Sequence, residues 1–165
     1  MTLQQAAARL GELLSADRLT LCTAESCTGG LVADAVTDIS GSSAYFLGGV
    51  VTYSNAAKAA FLAVPTSYLT SYGAVSAPVA VAMARGGRAA FGADVAVATT
   101  GIAGPTGGTR DKPVGLAYVS VVAPGYAACR RFVWPHDRRG NKEAAALAAL
   151  RLALHWVEAR RGQST

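Results

Sequence analysis

Apolar and polar residues follow two different periods along this chain, and the two periods divide it into helices and strands. Apolar residues that recur every three or four positions predict amphipathic helices, whereas short apolar or β-branched runs bounded by turn residues predict strands. The predicted helices cover residues 3–16, 28–37, 56–62, 65–72, 76–91 and 141–159. The predicted strands cover residues 19–22, 45–53, 94–100, 116–122 and 128–134.

This order of elements is typical of a single α/β domain with a mixed sheet. No internal repeat or linker divides the chain, so the domain is predicted to cover residues 1–165. In the last predicted helix, Arg151, His155 and Glu158 form one narrow polar stripe. Most of that helix therefore faces a core, which is either the sheet or a second copy of the chain, and a homodimer remains one expectation.

Composition excludes several classes of protein. Hydrophobic residues make up 52% of the chain and charged residues 15%, which is unlike a disordered segment. The net charge of +5 could indicate nucleic acid, an acidic membrane surface or an anionic small substrate. Eight of the 15 basic residues lie between Arg130 and Arg161, but they form no dense run and no interleaved aromatic platform is evident. We therefore expect neither a nucleic acid nor a membrane as partner.

The cysteines and the first residues of the chain indicate its cellular compartment. Cys22, Cys27 and Cys129 are an odd number without CxxC spacing, which argues against a disulfide framework and against a structural zinc site. No basic segment followed by an apolar segment begins the chain, so no secretory signal is expected. A reducing cytoplasm is the predicted location.

The first candidate site is the stretch Thr-Ala-Glu-Ser-Cys-Thr-Gly-Gly at residues 23–30, between a predicted strand and a predicted helix. The N-terminus of a helix collects backbone N–H groups without intrahelical partners, and such a turn suits a nucleophile, an oxyanion or a phosphate. Ser26 lies in the middle of this turn. The simplest alternative role for Ser26 is to cap the helix that follows.

A serine nucleophile needs a base, and the sequence offers few. His155 lies on the polar stripe of the last helix and His136 lies beside Pro135, so both are interpreted as surface residues. Lys58, set among four alanines, can act as a base if burial lowers its pKa, although a solvent-facing helix lysine is the more ordinary interpretation. Cys27 is interpreted as a small packing residue, since no histidine is placed to serve it.

A second candidate is the glycine-rich loop at residues 101–109, which follows a predicted strand. Its glycines allow backbone N–H groups to turn toward an anion. The loop is neither a Walker loop nor a GxGxxG motif. Glycine content alone leaves phosphate binding and a tight structural loop equally open.

Together these stretches resemble the C-terminal domain of the competence/damage-inducible CinA proteins and its stand-alone relatives, the nicotinamide-nucleotide amidohydrolases. The resemblance rests on residues 23–30, on Gly-Ser-Ser-Ala-Tyr-Phe-Leu-Gly-Gly-Val-Val-Thr-Tyr-Ser-Asn at 41–55 with Lys58, on Gly-Ala-Val-Ser at 73–76, and on Thr-Gly-Ile-Ala-Gly-Pro at 100–105 with the residues up to Gly115. These motifs span nearly the whole chain in the expected order.

The resemblance implies a three-layer α/β/α fold and hydrolysis of the carboxamide of nicotinamide mononucleotide, giving nicotinic acid mononucleotide and ammonia. It implies a serine–lysine pair without a metal or other cofactor, which corresponds to Ser26 and Lys58. Tyr53 is expected as the third catalytic residue, which relays a proton or orients Lys58. The substrate-binding residues that follow from it are Thr28, Gly29, Gly30, Thr100, Gly101, Ala103, Gly104 and Arg138.

Two features depart from the family pattern. The family's late Gly-Asp-Arg stretch is His136-Asp137-Arg138 here, and a later basic position is Lys142 rather than arginine. The nucleotide-processing domain that precedes this one in full-length CinA proteins is not in the sequence, so its pyrophosphatase activity is not expected.

Two hypotheses of different classes follow. In the first, neutral Lys58 activates Ser26, and backbone N–H groups between Cys27 and Gly30 stabilise the oxyanion. In the second, the same glycine loops form a nucleotide-binding module without catalysis, and Ser26 only hydrogen-bonds the ligand.

Overall fold

The computed structural model describes residues 1–162 and contains one five-stranded sheet between two layers of helices. The helices are α1 (Leu3–Asp17), α2 (Leu31–Thr37), α3 (Asn55–Leu62), α4 (Thr66–Tyr72), α5 (Ala77–Phe91) and α6 (Arg138–Gly162). The strands are β1 (Leu21–Glu25), β2 (Phe46–Val51), β3 (Val95–Gly101), β4 (Leu116–Ala123) and β5 (Tyr126–Val133). A single 3₁₀ turn at Ser42–Ala44 leads into β2.

The sheet is mixed, and its strand order is β2-β1-β3-β4-β5. β1 pairs in parallel with β2 and β3, while β3–β4 and β4–β5 are antiparallel. α1, α2 and α6 cover one face of the sheet. α3, α4 and α5 cover the other, with α5 packed directly on the strands. The predicted α/β/α architecture is therefore confirmed.

The predicted β1 was placed too early in the chain. The predicted strand covers residues 19–22, whereas β1 lies at Leu21–Glu25 and so includes the first three residues of the stretch interpreted as a turn. All five residues of β1 are buried, and each pairs with both neighbouring strands. Pairing on two sides overrides the low strand preference of alanine and glutamate. α2 accordingly begins at Leu31 rather than near residue 28.

Other predicted boundaries agree with the structure within a few residues. Ser54 caps α3, since its side chain accepts a hydrogen bond from the Ala57 N–H. Gly48 and Gly49 lie where the β1–β2 register shifts, as the glycine pair predicted. α6 is longer than predicted, because Arg138 already begins it.

α6 packs against α1, α2 and the sheet. Its predicted polar stripe is exposed, as expected. Within the described residues no helix is long and apolar enough to span a membrane.

Because β1, β2 and β3 are parallel, their carboxyl ends meet at one edge of the sheet. The residues that follow them, Ser26, Thr52 and the loop after Gly101, therefore come together although they are far apart in sequence. The N-terminus of α6 reaches the same edge, because Asn141 donates a hydrogen bond to the carbonyl oxygen of Ala103.

Candidate active site

Ser26 is held directly after β1 by the main chain. Its N–H donates to the carbonyl oxygen of Thr99 at 3.0 Å, and its own carbonyl accepts from the Gly29 N–H at 3.1 Å. These bonds fold the chain into a tight turn with Gly29 and Gly30 at positive φ. Ser26 is 8% exposed, so its hydroxyl lies at the floor of the turn.

Lys58 extends from α3 to the same point. Its Nζ lies 2.9 Å from Ser26 Oγ and 2.8 Å from the carbonyl oxygen of Thr52. The side chain is only 1% exposed, so the interpretation as a solvent-facing lysine is wrong. A serine hydroxyl and a lysine amine are therefore joined by a buried hydrogen bond, as the catalytic pair predicted from the sequence requires.

Burial lowers the pKa of Lys58, and this desolvation outweighs a smaller opposing effect of the Cys27 thiol. An ammonium group carries three hydrogens, and the structure gives Nζ two acceptors. A neutral amine keeps both contacts, since it can donate to the Thr52 carbonyl and accept from the Ser26 hydroxyl.

Burial raises the pKa of the Cys27 thiol to about 11. The thiolate is the reactive form of cysteine, so this thiol is a poor nucleophile at neutral pH. Cys27 is buried against the turn, which agrees with its interpretation as a packing residue.

Glu25 is a residue of the site that the sequence analysis missed. Its buried carboxylate accepts hydrogen bonds from the Thr28 hydroxyl at 2.6 Å and from three backbone N–H groups at the start of α2. These groups belong to Gly30 at 3.0 Å, Val32 at 3.1 Å and Ala33 at 2.8 Å. The sequence does indicate that another side chain must cap α2, because the helix follows glycine and has no Ser, Thr, Asp or Asn directly before it.

The Glu25 carboxylate changes the expected oxyanion site. The sequence assigned this role to N–H groups between Cys27 and Gly30, but the Gly30 N–H is bound to Glu25 and the Gly29 N–H to Ser26. The N–H groups of Cys27 and Thr28 take part in neither interaction. The expected oxyanion site therefore narrows to these two groups.

Two of the predicted substrate-binding threonines have protein partners. Thr28 is fully buried, and its hydroxyl lies 2.6 Å from Glu25 and 2.7 Å from the Thr99 hydroxyl. Thr100 is also buried and donates to the carbonyl oxygen of Ala74 at 2.8 Å. Both side chains hold neighbouring segments in place rather than facing open space.

Tyr53 is brought to Arg138 rather than to Lys58. The Arg138 guanidinium donates to the Tyr53 hydroxyl at 3.0 Å and to the carbonyl oxygen of Gly104 at 2.7 Å. Tyr53 is 61% exposed, so its ring forms part of the outer rim of the site. The structure thus links the end of β2, the glycine-rich loop and the start of α6 through one arginine.

The glycine-rich loop borders a cleft of about 640 Å³. Ala103 and Pro105 line one side, and Arg138, Arg139 and Lys142 supply positive charge on the other. Gly101 itself packs on β4, since a Cβ there would lie 2.6 Å from the Leu116 carbonyl oxygen. Lys142 also overhangs the Ser26 turn, because a Cβ on Gly29 would lie 3.6 Å from its Nζ.

Neither histidine is hydrogen-bonded to Ser26. His136 lines the cleft beside Arg138, and His155 is exposed on the outer side of α6. Among residues 1–162 no group of three histidine, cysteine or acidic side chains is arranged to hold a metal ion.

The family model described as the CinA C-terminal domain matches residues 3–157. The chain is 50% identical over 141 residues to a CinA-like protein of Geotalea uraniireducens, and 51% identical over 142 residues to a CinA-like protein of Citrifermentans bemidjiense. Each alignment covers 86% of the chain but 33% and 34% of the respective relative. The chain therefore spans about a third of the length of these curated relatives.

Solved structures are similar over nearly their whole length. The competence/damage inducible protein CihA of Agrobacterium tumefaciens is 40% identical, with a TM-score of 0.91 over 94% of this chain and 95% of its own. A CinA superfamily protein of Klebsiella pneumoniae is 30% identical, with a TM-score of 0.92 over 96% of this chain and 99% of its own.

Proposed function

The chain belongs to the CinA C-terminal domain family, and from this membership and the geometry of its site we propose that it hydrolyses the carboxamide of nicotinamide mononucleotide. The products are nicotinic acid mononucleotide and ammonia. The observation that carries the proposal is the buried hydrogen bond of 2.9 Å between Lys58 Nζ and Ser26 Oγ. The substrate itself comes from the family resemblance, and the pair supports amide hydrolysis as the type of reaction.

In the first step Ser26 Oγ attacks the carboxamide carbon while its proton passes to neutral Lys58 Nζ. The carbonyl oxygen becomes an oxyanion that accepts hydrogen bonds from the Cys27 and Thr28 N–H groups. In other enzymes one such donor is worth about 3–4 kcal/mol of transition-state stabilisation. The Thr52 carbonyl keeps Lys58 oriented throughout, because it accepts a second Nζ hydrogen.

In the second step the carbon–nitrogen bond breaks, and the Lys58 ammonium returns its proton to the departing nitrogen, which leaves as ammonia. The acyl group is then an ester on Ser26 Oγ. A water molecule attacks this ester and gives a proton to Lys58, which transfers it to Oγ as the acid is released. Ser26 and Lys58 are then back in their starting protonation states, so the proton transfers balance over the cycle.

The cleft beside the turn suits a phosphorylated substrate. Its three cationic side chains, Arg138, Arg139 and Lys142, outnumber the acidic Asp137 in its lining. Arginine matches the geometry of phosphate oxygens. Arg138 is already fixed by Tyr53 and Gly104, so little side-chain entropy is lost when it binds an anion. In this proposal Tyr53 positions Arg138 and does not relay a proton. The free thiols of Cys22, Cys27 and Cys129 suit a reducing compartment, and we place the reaction in the cytoplasm.

The test is ammonia release from nicotinamide mononucleotide by the wild-type protein, by Ser26→Ala and by Lys58→Met. We expect each substitution to reduce kcat by about 10³-fold or more, because each removes one half of the pair. Ser67→Ala is the matched control, since Ser67 is exposed on α4. It should retain full activity.

Calorimetric titration of the same substrate separates catalysis from binding. The Ser26→Ala protein should still bind the mononucleotide, because the cleft is intact. Tight binding by the wild-type protein without ammonia release would instead support a nucleotide-binding module. Full activity in Ser26→Ala would refute the proposed mechanism.

A further inference from the structure

A second cleft lies at the opposite side of the molecule from β2, between β5 and α6. β5 is an edge strand, and Tyr126, Ala128 and Phe132 pack toward the layer that contains α6. The described helices leave part of the strand surface between β5 and α6 open. The opening is a cleft of about 480 Å³.

One wall of this cleft is aromatic. Phe132 and Trp134 are stacked, with ring centroids 4.8 Å apart and ring planes 10° from parallel. Both side chains are half-buried and line the cleft. Stacking of a heterocyclic base on such a ring is worth about 1–3 kcal/mol and tolerates any base. The wall therefore suits a planar ring.

The rim of the cleft carries positive charge without a counter-charge. Arg130, Arg151 and His155 are exposed and line it, and no acidic side chain does so among residues 1–162. Arg130 donates only to the neighbouring Cys129 carbonyl, and Arg151 forms no ion pair within the described chain. Glu158, the acidic member of the same helix stripe, faces Arg9. Unpaired guanidinium groups beside an aromatic wall suit a phosphate.

This combination was not visible in the linear sequence. Arg130, Phe132 and Trp134 alternate along β5 and its end, so they share one face of the strand. Arg151 and His155 reach them from α6, one helical turn apart. The sequence analysis found no interleaved aromatic platform among the basic residues, whereas in the folded chain the stacked pair of Phe132 and Trp134 lines one cleft with Arg130 and Arg151. The expectation that nucleic acid is not a partner stays a prediction.

We propose that the cleft between β5 and α6 binds a free nucleotide, with its base against Phe132 and Trp134 and its phosphate on Arg130 and Arg151. The volume is within the range of small-ligand sites. The cleft shares no lining residue with the one beside Ser26, so this site is separate from the proposed catalytic centre. The inference does not depend on the proposed reaction.

The test is calorimetric titration with adenosine 5′-monophosphate, which has a base and a phosphate but no carboxamide to hydrolyse. Arg151→Glu should weaken its binding about tenfold or more, because one charge-assisted contact is replaced by repulsion. Arg85→Glu is the matched control, since Arg85 is exposed on α5 and the change in net charge is the same. Trp134→Leu should also weaken binding, and adenosine and ribose 5-phosphate should each bind less tightly than the complete nucleotide.

Three results would overturn the proposal. The first is no binding of the nucleotide, and the second is equal affinity in Arg151→Glu and Arg85→Glu. The third is loss of binding in Arg138→Ala but not in Arg151→Glu, which would place the nucleotide beside Ser26. The same titration is repeated with a decamer of adenylate. Binding of the decamer much more tightly than the mononucleotide, with a steep dependence on salt, would assign the cleft to a nucleic-acid strand instead.

Discussion

Lys58 is an ionisable side chain that the fold has removed from water. Its amine touches Ser26 and Thr52, and burial lowers its pKa. A buried lysine with neutral hydrogen-bond partners loses its proton more readily than a lysine in water. The burial that makes Lys58 costly therefore favours the role of base that the proposed mechanism gives it.

The pH dependence of catalysis should follow Lys58. Its neutral form is the base, so kcat/KM should rise with pH through the pKa of Lys58 and become constant above it. Because burial lowers this pKa, the midpoint of the rise should lie below the ordinary lysine value of about 10.4. A pH series of initial rates measures this. A rate that falls as pH increases through this range would contradict Lys58 as the base.

Glu25 should position the Ser26 turn. In Glu25→Gln one side-chain oxygen becomes an NH₂ group, which leaves a buried N–H group at the start of α2 without an acceptor. A displaced turn should lower kcat by about 10²-fold with little change in KM. The acid limb of the pH profile should stay in place, because Lys58 is unchanged.

Steady-state kinetics well below the melting temperature separate this effect from loss of fold. Glu12→Gln is the control, since Glu12 is an exposed glutamate on α1. If Glu25→Gln instead raised KM and left kcat unaltered, Glu25 would act in substrate binding rather than in positioning.

The position of α3 depends on its contact with α5. Gly86 lies in α5, and a Cβ there would come 1.9 Å from the Leu62 carbonyl oxygen at the end of α3. Gly87 similarly allows α5 to approach β1, because a Cβ there would lie 3.3 Å from Ala24. Two glycines inside a helix lower its intrinsic stability, but here Gly86 lets α3 pack closely on α5, which brings Lys58 toward Ser26.

Gly86→Ala should therefore force α3 away from α5. Overpacking costs about 1–3 kcal/mol, and the gain in helix propensity of about 1 kcal/mol offsets only part of it. We expect a lower midpoint in urea and a reduced kcat, because Lys58 moves with α3. Arg85→Ala, at the preceding exposed position, should leave both unchanged. A Gly86→Ala protein with unaltered stability and activity would show that α3 tolerates the displacement.

At the scale of the whole molecule, the beginning and the end of the described chain are tied together. Arg161 in α6 makes two parallel hydrogen bonds to the Asp17 carboxylate at the end of α1, at 2.7 and 3.0 Å. The hydrogen bond to Arg161 lowers the pKa of Asp17 more than desolvation raises it. This pair closes the helical layer that covers one face of the sheet. Whether two such molecules form the predicted homodimer stays a prediction.

A double-mutant cycle with Asp17→Asn and Arg161→Met should measure a small favourable coupling at pH 7, since the Arg161 side chain is exposed and water screens the pair. The pKa of Asp17 is lower in the folded state, so its contribution is present above about pH 3.9. It is lost as pH falls through the folded pKa. Urea unfolding at pH 7 and pH 3 measures both values. A coupling that grew in acid would contradict this assignment.

Much of the fold and part of the site follow from the sequence alone. Periodicity and turn residues identify every helix and strand, because these signals come from neighbouring residues. The predicted boundaries are wrong where pairing within the sheet, rather than local sequence, decides where a strand begins and ends, as in β1. Ser26 could be selected because it lies between a strand and a helix. Lys58 could only be suggested, since a helix of alanines shows no clear buried face.

The tertiary structure decided which side chains meet. Parallel pairing of β1 with β2 brings Ser26 to Thr52, and the close α3–α5 contact turns Lys58 inward. Tyr53 contacts Arg138 at a sequence separation of 85, and Arg130 shares a cleft with Arg151. Contacts of this kind depend on the order of strands and the packing of layers. Local sequence patterns carry the residue types for the chemistry, whereas their distances and burial arise only when the chain is folded.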